Sequence, residues 1–77
     1  MKTKYKDFEK VANSELNKLI TEWVKNEKAR KMLRRHFIDG ITFERLAEEM
    51  GLSTQWVKQT VYKYADILVG IVKKAYK

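Results

Sequence analysis

Little in this sequence is equipped for covalent chemistry. His36 is the single histidine and there is no cysteine. A lone histidine with no cysteine or carboxylate at ligand spacing makes no metal site. It sits on an apolar helical face, where packing is its expected role. No nucleophile–base pair, phosphate-cradling glycine loop or functional carboxylate pair stands out, and Glu48-Glu49 read as a solvated face. Neither an enzyme nor a bound cofactor is expected. What does stand out is a set of hydrogen-bonding side chains at helical spacing: Thr54, Gln55, Lys58, Gln59 and Tyr62. Glutamine presents a paired donor and acceptor that fits an adenine edge, lysine fits guanine, and the threonine methyl can touch a thymine methyl.

The elements that must hold these residues are legible from periodicity. From Thr54 to near Tyr76, the residues Val57, Val61, Tyr64, Leu68, Ile71, Val72 and Ala75 keep one helical phase. Ser53 is placed to cap that helix. Before it, Thr42 caps a short helix, Phe43 to Met50, with Leu46, Ala47 and Met50 inward. Gly51 takes the turn's backbone angles and Leu52 is the buried turn residue. A small residue at Ala47 lets one helix cross over the other. Upstream, an amphipathic helix over 6–25 carries Phe8, Val11, Ala12, Leu16, Leu19, Ile20, Trp23 and Val24. A second helix, Glu27 to Ile38, carries Ala29, Met32, Leu33, His36 and Phe37. The two stripes are rotated apart, so the chain must break near Asn26, a good N-cap. Asp39-Gly40 is a turn. The expectation is a single all-α domain over 1–77: four helices, with a helix-turn-helix at 42–68, the helix over 6–25 packed on it, and a long last helix.

Seventy-seven residues with 44% hydrophobic content and no proline suit one thin-cored helical domain. The formal charge is +7. Positive charge gathers in residues 26–40 and 54–77, on either side of an acidic stretch holding Glu44, Glu48 and Glu49. Such a domain suits a polyanionic partner. Arg30, Lys31, Arg34 and Arg35, with Lys63, offer a cationic surface for phosphates. Thr42, Ser53 and the helix N-termini offer hydrogen bonds to them. Trp56 lies off the core stripe and either packs on the first helix or touches the DNA backbone. The charged first residues give no signal peptide, and no apolar run approaches the roughly 20 residues that span a bilayer. A cytoplasmic setting is expected.

The pattern Phe43-x-x-Leu46-Ala47-x-x-Met50-Gly51-Leu52-Ser53-x-x-x-Val57 then carries a resemblance. Met32-Leu33-Arg34-Arg35-His36-Phe37, Asp39 through Ser53, and Val57-Lys58-Gln59 resemble the fourth region of bacterial primary sigma factors, which reads the promoter −35 element. LuxR-type DNA-binding domains are similar in plan and stand second. The likeness runs from about Ala29 to Leu68 and implies DNA contacts at Thr54, Gln55, Lys58 and Gln59. It departs where sigma factors open the reading helix with Arg-Glu-Arg and this chain has Thr54-Gln55-Trp56. The upstream sigma regions are absent, so the chain looks like a free-standing regulator of the kind that phages and mobile elements carry in bacteria. The partners expected are double-stranded DNA, no membrane, a second subunit through Ile67, Leu68, Val69, Ile71 and Val72, and an RNA polymerase contact. A rival reading is a protein-interaction module that binds polymerase or a sigma factor without specific DNA readout.

Overall fold

A computed structural model of the chain describes Phe8 and residues 11–75. The described residues form helices and turns, with no strand among them. Helix α1 is Asn13–Trp23 and α2 is Glu27–Leu33. A π-helical turn, Arg34–Ile38, continues α2. Helix α3 is Phe43–Met50 and α4 is Thr54–Ala75. The fold is all-α.

The break after α1 falls where the rotated stripes require it. Asn26 has extended backbone, and its Oδ1 accepts a hydrogen bond from the Ala29 N–H at 3.1 Å, satisfying one of the orphan donors of a helix start. The beginning of α1 differs from the expected helix over 6–25. Ala12 is extended and the helix opens at Asn13; Lys6 lies outside the described residues. Phe8 and Val11 are still buried, but a turn brings them in, with the Val11 N–H donating to the Phe8 carbonyl at 3.2 Å. A spacing of three is common to a turn and a helix, so periodicity alone merges the two. At the other end Trp23 is 52% exposed, off the inward face it was expected to join.

The second helix reaches Ile38 as expected but changes its winding. The Asp39 N–H donates to the Arg34 carbonyl at 3.1 Å, a bond across five residues that widens the last turn. The widened turn leaves His36 and Phe37 half-buried instead of fully inward. Gly40, with φ at +74°, ends it in the left-handed region that glycine enters without strain.

Helix α3 begins and ends on its predicted residues. The Thr42 Oγ1 accepts from the Arg45 N–H at 3.2 Å. At its end Gly51 has φ +66°. The Leu52 N–H donates to the Ala47 carbonyl at 2.9 Å and the Gly51 N–H to the Glu48 carbonyl at 3.3 Å, which is the Schellman closure. Ser53 then starts α4, its Oγ accepting from the Trp56 N–H at 3.2 Å. Residues 51–53 thus join two capped helices that pack on each other.

Val57, Val61, Ala65, Leu68 and Val72 form one buried seam along α4, closed over by Leu16 and Ile20 of α1 and Val24 just after it, Ala29, Met32 and Leu33 of α2, and Leu46 and Ala47 of α3. Ala65 occupies the seam's centre, while Tyr64 and Ile71 sit half-buried at its edge and Ala75 is exposed. Met50 and Leu52 are also only half-buried. Leu68 and Val72 are 0% and 1% exposed within the single chain. They are core residues, so the second-subunit contact expected of them cannot involve them; of that set Ile67, at 48%, is the most open to solvent, and Val69 and Ile71 are half-buried.

Candidate nucleic-acid interface

Burial of the Val57–Val61 seam fixes what the first turns of α4 present outward. Gln55, Lys58 and Gln59 are exposed, and the helical period keeps them away from the core. Thr54, the first residue of the helix, is half-buried. Tyr62 shares the outward side but leans on α3: its ring meets Phe43 edge-on at 5.6 Å between centroids, and 38% of the residue remains exposed. Phe43 in turn stacks on His36 at 4.1 Å and 17° between planes. His36 Nδ1 lies 2.8 Å from the Ile41 carbonyl oxygen, which can only accept, so Nδ1 carries the proton. His36 is therefore a packing residue. The same series of rings continues to Phe37 and Phe8. It ties the outward side of α4 to α3 and the π turn, and no sequence motif marks it.

The hydroxyls expected to meet phosphate stand at the two helix starts. Thr42 and Ser53 are exposed. Each uses its oxygen as the acceptor in a cap, which leaves the O–H proton for another acceptor. Trp56, one turn into α4, is 46% exposed. Lys31 and Lys63 are exposed, and the Lys63 ammonium stands 5.5 Å from the centre of the Tyr64 ring.

The arginines of the second helix are arranged differently from a free cationic clamp. Arg30 reaches back under the end of α1: its Nε donates to the Val24 carbonyl at 2.5 Å and Nη2 to the Thr21 carbonyl at 2.8 Å, with Nη1 at 3.1 Å from Glu27. The last turn of α1 contains no basic residue, so Arg30 supplies the charge that a helix C-terminus favours. Arg34 donates to Asn17 Oδ1 at 2.6 Å and to Thr21 Oγ1 at 2.7 Å. Asn17 and Thr21, like Arg30 and Arg34, are four residues apart; that matched spacing was the available sequence signal for two helices stapled face to face. Arg35 turns the other way, pairing with Glu49 on α3 and, at 3.1 Å, with Asp39. The bond to Arg35 holds the Glu49 carboxyl below its ordinary value, and the bonds to Glu49 and then Asp39 hold the Arg35 guanidinium above its own.

A shallow hollow of about 670 Å³ runs along this side, lined by Lys28, Lys31, Arg34 and Arg35 with Glu27, Asp39 and Met50. A second, by the start of α3, is lined by Thr42, Glu44, Arg45, Glu48 and Glu49. Among the described residues no group of three or more His, Cys, Asp or Glu could hold a metal ion, and no helix is long and apolar enough to cross a membrane. The surface best equipped for recognition is therefore the outward side of early α4, flanked by the capped starts of α3 and α4. Compared with known proteins, the chain matches no family model, no curated protein and no solved structure.

Proposed function

We propose that this chain is a sequence-specific DNA-binding regulator of transcription, which lays the start of α4 in the major groove inside a bacterial or phage-infected cell. The observation that carries the reading is the exposed trio Gln55, Lys58 and Gln59 on the first turns of a helix that a tight glycine turn joins to a second, packed helix. Base edges are read by the N-terminal part of such a helix, and this trio offers bidentate partners for adenine and guanine. Thr42 and Ser53, at exposed helix starts, suit phosphate oxygens. The likeness of residues 29–68 to the fourth sigma region and the formal charge of +7 support the same reading. Asp66 bounds the footprint, because a carboxylate on the outward side repels phosphate. The groove therefore receives the first three turns of α4, and Thr54 and Tyr62 flank the readers.

The test is selection of bound sites from a random DNA pool, followed by fluorescence anisotropy on the winner. A shared motif should emerge, bound more tightly than scrambled duplex by at least about a thousandfold. Lys58→Ala with Gln59→Ala should abolish that preference and leave the helical circular dichroism unchanged. Absence of binding at low salt would remove the reading. Polymerase pull-down that survives both substitutions would put the interaction-module reading in its place.

A further inference from the structure

The second half of α4 carries Asp66, Ile67, Gly70, Lys73 and Lys74 on its outward side, all exposed, with Gly70 three or four residues from each of the others and so at the centre of one helical face. Three features separate this face from an ordinary solvated one. Ile67 leaves 48% of its surface in water. Gly70 stands inside a 22-residue helix with ordinary helical backbone, and a Cβ built on it would meet nothing within 4 Å. Glycine is the poorest helix former after proline, and no described residue of the protomer requires it there. The charges, finally, are segregated along the axis, with Asp66 before Gly70 and the two lysines after it.

We infer that this face docks a second copy of the chain, the two α4 helices crossing antiparallel at Gly70 about a two-fold axis. Antiparallel crossing reverses the charge order, so Asp66 of each copy faces the Lys73–Lys74 pair of the other, twice over in one isologous contact. Parallel crossing would set like charges together. The missing side chain at Gly70 lets the backbones approach, and that approach covers Ile67. A carboxylate accepts several donors, so the contact does not require Asp66 to lack other partners. The surface is distinct from the Leu68 and Val72 seam, which the single chain already buries. It is also independent of DNA binding, since it uses the half of α4 beyond the reading trio.

Sedimentation equilibrium on the full chain without DNA, from low micromolar to several hundred micromolar, tests the contact. The chain should show a reversible monomer–dimer equilibrium. Asp66→Lys alone and Lys73→Asp with Lys74→Asp should each weaken self-association by on the order of tenfold or more. An equimolar mixture of these two variants, whose charges complement each other, should restore dimers. Gly70→Leu should abolish the dimer while its thermal midpoint stays level or rises, because the monomer has room for the side chain. A monomer at every concentration would overturn the contact. So would a dimer indifferent to Gly70→Leu, or charge variants that fail to rescue each other when mixed.

Discussion

At the scale of single residues, the side chains of the basic helix divide by task. Arg30 closes the end of α1 through the Val24 and Thr21 carbonyls, and charge-assisted bonds of this kind contribute about 1.5–3 kcal/mol. Arg30→Ala should lower the free energy of unfolding in urea by about 1–2 kcal/mol, and Arg30→Lys should recover only part of it, since an ammonium cannot serve two carbonyls with a planar fork. A loss with Lys as small as the scatter of surface mutants would show that the fork is unimportant. Glu49 makes the fold's acid sensitivity predictable. Its folded carboxyl lies below its ordinary value of 4.5, so the bond to Arg35 stabilises fully above that pH and is lost as pH falls through the depressed value. Glu49→Gln should lower Tm by a constant amount at neutral and alkaline pH and converge with the wild type in acid, which flattens the acid side of the Tm-against-pH curve. Gln55, Lys58 and Gln59 were legible as exposed because helical phase alone decides that. The attachments of Arg30, Arg34 and Arg35 were not, because they depend on how α1 and α3 approach α2, which no local pattern encodes.

At the scale of elements, legibility follows how local the determinants are. Thr42, Gly51 and Ser53 set the bounds of α3 and the start of α4 through hydrogen bonds between residues three to five apart, and all three were readable. The π turn at Arg34–Ile38 was not; no residue type announces it, and its bonds share a helix's phase for most of a turn. The start of α1 departs from its periodicity for a related reason, Phe8 and Val11 being equally spaced in a turn and a helix. The glycine that ends α3 and the glycine inside α4 should respond in opposite senses. Gly51 holds φ +66°, so Gly51→Ala should destabilise by about 1–2 kcal/mol, although a Cβ there has open space. Gly70→Ala should stabilise the monomer by about 1 kcal/mol. Urea titrations in the low-micromolar range, where the monomer dominates, would read both; equal signs would refute the contrast.

At the scale of the whole molecule, charge and its allocation set how strongly DNA binding should depend on salt. The chain carries +7, and a count of cations alone would suggest that many phosphates are neutralised. The structure allocates them otherwise. Arg30, Arg34 and Arg35 bond within the fold, and Lys73 and Lys74 stand at the far end of a helix that rises roughly 1.5 Å per residue, well over 20 Å beyond Gln55. Glu44, Glu48 and Asp66 add repulsion around the footprint. The cations left near the proposed footprint are chiefly Lys58, Lys63, Lys31 and Arg45, the last exposed beside Thr42 at the start of α3. Each neutralised phosphate contributes about −0.9 to the slope of log K against log salt on duplex DNA. The slope for the selected site should therefore be about −3 to −4, shallower than the net charge suggests. Lys58→Ala should reduce it by about one unit. Arg34→Ala should leave it unchanged while weakening the fold through Asn17 and Thr21. A wild-type slope near −6, or one that flattens with Arg34→Ala, would mean that the arginines leave α1 and α3 to meet the duplex, and that the rigid frame described for the free chain rearranges on binding.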